Sequence, residues 1–135
     1  MERYGEQPEV RKLKNCEEEL NCIKSWISNF EDSQYLSLGI ICKTQKQADE
    51  LLHQLQELFE VNLLNAVSVA FGSGIVVTTA HLAKGLEFDE VIAPFCSNKN
   101  YQTEPDRQML YLACTRAMHR LRVSYFGEGS SFISK

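Results

Sequence analysis

Residues 38–42 read LGIIC, a run with no charged or amide side chain to face water. A strand of that kind must be covered on both faces, as strands in a parallel sheet are. GIVVTT at 74–79 and DEVIAPF at 89–95 repeat the pattern, and RLRVSYF at 120–126 alternates as a final strand. Helical signals lie between them. Asn15 with Glu18 forms a capping-box pattern, and Leu20, Ile23, Ile27 and Phe30 recur at helical spacing beside Trp26, which predicts a helix over 16–30. Thr44 with Gln47 opens a second helix, whose Ala48, Leu51, Leu52, Leu55, Leu58 and Phe59 form an apolar stripe. Thr103 caps a third, beginning near Pro105 and running to about Ala117. Val61 to Leu64, then Val67, Val69 and Phe71, read as short strands or extended connections before Gly72 and Gly74. Strands alternating with helices imply right-handed crossovers and one α/β domain, an open, mostly parallel sheet flanked by helices.

Composition narrows the class of protein. A chain of 135 residues, 44% hydrophobic and 24% charged, can bury the core of one soluble domain. No apolar run approaches a membrane span, and the polar start MERYGEQPEVRK lacks a signal-peptide core, so a cytoplasmic protein with no membrane contact is expected. Cys16, Cys22, Cys42, Cys96 and Cys114 fall at irregular spacings with no zinc pattern, so no metal site is expected, and Cys42 and Cys114 read as core packing. A net charge of -4 argues against a broad basic surface for nucleic acid, so any such contact must be local. Basic residues do gather late, at Arg107, Arg116, His119, Arg120 and Arg122, either as a solvated face or as a narrow groove.

The loop HLAKGLEF follows the strand GIVVTT, which places Thr78, Thr79, His81, Lys84, Gly85 and Glu87 on the rim where parallel sheets bind ligands. Gly85 permits a tight turn, Lys84 supplies a point charge, and Glu87 can accept hydrogen bonds from ribose hydroxyls. Each also has a plainer role, in solvent, in an ion pair or as a hydrogen-bonded rim residue. Arg116 stands at the end of the third helix, where its rigid fork of donors suits a phosphate and its charge also suits the helix dipole. There is no GxxxxGK[ST] loop, no Ser-His-Asp or Cys-His set, and the carboxylates Asp89 and Glu90 open a strand without an evident partner. The chain reads as half of a site.

Two segments together carry a resemblance. KGLEFD at 84–89, followed by Leu110, Tyr111, Ala113, Thr115, Arg116, Ala117 and Leu121, resembles motifs V and VI of the UvrD/Rep-type superfamily 1 DNA helicases. LGIICKTQKQADELLHQL is similar to the opening of their second RecA-like domain, so the resemblance covers most of the chain after about residue 37. About twenty residues separate Asp89 from Leu110, leaving no room after motif V for the long accessory insertion of UvrD and Rep, which is more like the helicase IV or HelD-type branch.

The resemblance implies a C-terminal RecA-like helicase domain over 1–135, with a lead-in and first helix to 36, a motif-bearing core at 37–126 and a tail. It implies an ATP-dependent DNA helicase whose ATP and Mg2+ are held mainly by an N-terminal RecA-like domain, so that this part alone does not hydrolyse ATP. By the same resemblance Arg116 is the arginine finger, and Gly85 and Glu87 lie at the nucleotide. Thr79, His81 and Lys84 face single-stranded DNA, within a protein that engages single-stranded or duplex DNA. Tyr111 and Thr115 position the motif VI helix. Two alternatives stay open: a HelD-type ATPase acting on RNA polymerase, and a non-catalytic helicase-like binding module.

Overall fold

The computed structural model describes residues 8–59, 61–63, 74–97 and 99–130; the extended segments expected from Leu64 to Phe71 lie outside them. In chain order the elements are β1 (Glu9–Leu13), α1 (Cys16–Glu31), β2 (Ser37–Cys42), α2 (Gln45–Leu55), β3 (Val61–Leu63), β4 (Gly74–Thr79), β5 (Phe88–Ala93), α3 (Glu104–Cys114) and β6 (Ala117–Phe126). The six strands form one sheet in the order β1-β6-β5-β2-β4-β3. Every pairing between named strands is parallel.

Period-two alternation gives β2, β4 and β5 two apolar faces. Leu38, Ile40 and Cys42 of β2, with Ile75, Val77 and Ile92, pack beneath Ile23, Trp26, Ile27 and Phe30 of α1 and Ala48, Leu51 and Leu55 of α2. Ile41, Val76, Val91, Ala93, Leu121 and Val123 point the other way, toward Leu110 and Ala113 of α3 and toward Ala80 and Ala83. Gly39 faces that second side too. A β-carbon built there would stand 2.6 Å from the ring of Phe88, so the absent side chain is the space the ring fills.

The helices begin where expected; α1 runs one residue further, to Glu31, whereas α2 and α3 end sooner. Asn15 Oδ1 accepts from the Glu18 N–H at 2.9 Å, while the Glu18 carboxylate accepts from Lys14 rather than from Asn15, leaving the box half closed. Thr44 Oγ1 accepts from Gln47 N–H, and Thr103 with Asp106 forms a complete box at α3. α2 stops at Leu55 with a tight turn in which Leu58 N–H donates to the Leu55 carbonyl. Leu58 therefore leaves the apolar stripe and is 63% exposed, against expectation. α3 ends at Cys114 rather than near Ala117, because Ala117 already pairs with Phe88 as the start of β6. β1 was not expected at all. Three of its five residues are charged and three are exposed, and it is held by parallel pairing with β6 and by the Glu9–Arg122 ion pair at 3.4 Å.

Two buried carboxylates tie the layers together. Glu90, fully buried and with no evident partner in the sequence, sits 2.8 Å from Arg120 and 3.6 Å from Arg122. Arg122 in turn donates to Asn29 of α1 at 2.8 Å and lies over the Trp26 ring. Glu19, also fully buried, accepts from the Ser124 hydroxyl at 2.6 Å and from the Phe95 N–H at 2.8 Å. Phe95 needs that anchor, for it holds a left-handed φ of 61°, costly for a bulky side chain. Asn100 Nδ2 secures its carbonyl at 2.8 Å. Burial raises the Glu19 pKa, with the Ser124 and Phe95 bonds opposing less strongly, and Oε1 has no partner among the described residues.

Gly39→Ala should lower stability by about 1–3 kcal/mol by overpacking, read by chemical denaturation. Adding Phe88→Leu should recover part of the loss, and an unchanged midpoint in Gly39→Ala would dismiss the contact. For Glu19, the native state holds a proton that the unfolded chain releases, in the window from the ordinary value of 4.5 up to the raised one. Stability therefore falls as pH rises through that window. The wild-type protein should lose stability there relative to Glu19→Gln, and parallel stability curves for the two proteins would count against the raised pKa.

Candidate functional site

β4 delivers the chain to the carboxyl edge of the sheet, and the next eight residues (80–87) carry it back. Thr79 starts the return. Its Oγ1 accepts from Leu82 N–H at 3.3 Å and its carbonyl from Ala83 N–H at 3.0 Å. Ala80 and Ala83 are buried under α3, which turns His81 and Lys84 outward. Gly85 then takes a left-handed φ of 81°, a conformation that favours glycine. Leu86 N–H closes on the Ala83 carbonyl at 3.0 Å, and exposed Glu87 precedes β5.

The shared rim expected for Thr78 to Glu87 is thereby corrected. Thr79 lies level with Cys42, whereas Glu90 is level with Leu38, so Glu87 belongs to the amino edge. With a rise of roughly 3.3 Å per residue, about 20 Å separates the two edges. Thr79 and His81 stand toward one and Glu87 toward the other, with Lys84 and Gly85 between.

Arg116 meets Glu87's segment at the amino edge. Its carbonyl accepts from Phe88 N–H at 2.9 Å, and its Nη1 donates to the Leu86 carbonyl at 3.3 Å, so Arg116 brackets Glu87 from both sides. Nε donates to the Leu112 carbonyl at 3.2 Å and Nη2 to Thr115 Oγ1 at 3.4 Å. Thr115 Oγ1 itself donates to Leu112, so hydroxyl and guanidinium together cap the last turn of α3. Tyr111 is 70% exposed.

The late basic cluster resolves into pairs with one remainder. Arg107 binds Glu104 at 2.8 Å, Arg120 and Arg122 hold Glu90, and His119 stands 3.8 Å from Asp89. Asp89 is occupied as well, accepting from Leu36 and Ser37 N–H at the start of β2. Half-buried Arg116 is the member of the five with no acidic partner among the described residues. Its three acceptors are neutral oxygens. A guanidinium held only by neutral oxygens can exchange them for the charged oxygens of an anion.

Elsewhere the chemistry is quiet. Lys43, at the end of β2, pairs with Asp106 at 2.9 Å and donates to the Asn100 carbonyl, fastening the sheet to the first turn of α3. Burial pushes the Cys114 thiol up to about 12 and raises those of Cys42 and Cys96 further, which suits packing rather than nucleophilic work. Among the described residues no three His, Cys, Asp or Glu side chains converge on a metal position, and no helix is long and apolar enough to cross a membrane. Residue identities do not point to the Leu86 and Leu112 carbonyls that hold Arg116, because backbone acceptors leave no mark on them.

The pattern of the UvrD-like helicase C-terminal domain matches residues 74–124, from β4 into β6. The RecBCD enzyme subunit RecB of Chlamydia trachomatis is 31% identical over 102 residues, which is 71% of this chain and 10% of that protein. The chain thus spans about a tenth of the length of this curated relative. A crystal structure of the C-terminal domain of a possible DNA helicase from Lactobacillus plantarum WCFS1 superposes with a TM-score of 0.86 at 30% identity, covering 96% of this chain and 80% of that one. The C-terminal domain of the DEAD-box protein Dbp5 is similar in fold, with a TM-score of 0.62 at 18% identity over 92% of this chain and 77% of that one.

Proposed function

The chain belongs to the UvrD-like helicase C-terminal domain family, and on that footing we propose that it is the second RecA-like half of an ATP-dependent DNA helicase. The observation that carries the reading is Arg116, a half-buried guanidinium at the amino edge with neutral partners and no carboxylate among the described residues. The chain has no Walker loop, so the nucleotide and its Mg2+ are held mainly by a first RecA-like domain of the same protein. ATP, when bound there, supplies the phosphoryl transfer that drives the motor.

Each residue then has a defined task. Closure of the two domains offers Arg116 phosphate oxygens in exchange for the Leu86 and Leu112 carbonyls, and charged acceptors bind the fork more strongly than neutral ones. Stabilising charge there contributes on the order of 10³ to 10⁵ in rate for arginine fingers in general. Glu87 accepts from the ribose, with Gly85 keeping the approach open. His81 and Lys84 hold single-stranded DNA. Thr79 positions them, since its hydroxyl holds the turn through Leu82 N–H. Arg116 also couples the two functions: its bond to Leu86 restrains the connection that bears His81 and Lys84, and moving the guanidinium to a phosphate frees that connection.

In the full-length protein, Arg116→Ala should lower ATP turnover by about 10³ or more while weakening nucleotide affinity only modestly. Arg116→Lys should fail to rescue, because the fork is lost. Near wild-type ATPase activity in Arg116→Ala would sink the assignment. Separately, His81→Ala and Lys84→Ala should reduce DNA-stimulated ATPase more than basal ATPase; an equal fall in both would mark the residues as structural.

A further inference from the structure

A hollow of about 310 Å³ lies between the outward turn of the 80–87 connection and α3. His81, Lys84, Pro105, Gln108, Met109 and Leu112 line it. Three of these are apolar, and Met109 and Leu112 pack on the core beneath, so the floor is fixed. Lys84 brings one positive charge to the rim, and among the described residues no carboxylate lines it. Gln108 is exposed, and among the described residues its amide has no hydrogen-bond partner, nor do the side chains of His81 and Lys84. The volume falls near the lower end of small-ligand sites, roughly 300 to 1,000 Å³.

We propose that this hollow receives one base of a single-stranded DNA, with Pro105, Met109 and Leu112 against its face, Gln108 on its edge, and Lys84 on the adjoining phosphate. The site rests on the DNA-contacting role given above to His81 and Lys84, and adds α3 to the path of the strand. An apolar floor beside a cation suits a nucleotide because a base is apolar on its faces and its phosphate is not. The carboxamide carries a donor and an acceptor side by side, so it can pair at two points with a base edge left open in a single strand. Among the described residues no aromatic ring lines the hollow. Contact with the floor is therefore weaker than ring stacking, and Gln108 carries a correspondingly larger share of base recognition.

The test uses the full-length protein and two fluorescent oligonucleotides of equal length, one of deoxythymidylate and one with abasic sugars throughout. Gln108→Ala, at an exposed position, should weaken binding of the deoxythymidylate strand by about three- to tenfold and leave the abasic strand unchanged. Lys84→Ala should weaken both and lower the salt dependence by about one ion. If Gln108→Ala changes neither strand or both alike while Lys84→Ala still weakens them, the base site is overturned and the DNA contact stands. If Lys84→Ala and His81→Ala also change nothing, the DNA-contact reading itself falls. A loss of basal ATPase in Gln108→Ala with DNA affinity intact would seat the neighbouring domain in the hollow, and would overturn the site too.

Discussion

Two parallel neighbours cannot be joined without recrossing the sheet, and that constraint shapes everything functional here. Each strand ends at the carboxyl edge and the next must start at the amino edge. Between β2 and β3 the helix α2 lies on the return, and between β5 and β6 the helix α3 does. Between β4 and β5 the return is only eight residues without a helix, too short to wander and pinned by Thr79, Ala80 and Ala83. One short segment thus touches both edges. The proposed nucleic-acid and nucleotide contacts are two ends of the same span, and Arg116 holds its far end.

The buried charges serve placement more than stability. Removing two opposite charges from water costs about what their attraction returns, so the Glu90 cluster is weak evidence for a stable fold. It does fix geometry. Glu90 of β5 engages Arg120 and Arg122 of β6, and Arg122 reaches Asn29 of α1 and Glu9 of β1. The register of β5 against β6, on which the position of Arg116 depends, is thereby locked from the opposite face.

Much of this was legible because the signals were local. LGIIC and GIVVTT announce strands covered on both sides, and Asn15, Thr44 and Thr103 each mark a helix start by a hydrogen bond made within three residues. What the sequence hid depends on partners far along the chain. β1 reads as polar and is a strand only because β6 offers it an edge. Glu90 looked partnerless because Arg120 lies thirty residues away. The rim containing Glu87 was misplaced because residue order along a loop does not say that the loop spans the sheet. Arg116 stands out as an arginine at an element end, yet its lack of an acidic partner among the described residues shows only once its four companions are placed beside theirs.

The parallel pairing of β1 with β6 bears on mechanical load. β1 begins at the amino edge, while β6 ends at the carboxyl edge. Tension between the two ends slides the strands along one another, so the bonds from Glu9–Arg122 to Leu13–Phe126 share the strain together rather than parting one at a time. A polar edge strand with little buried surface can in this way anchor a domain that is pulled upon, by direction of force rather than by depth of packing.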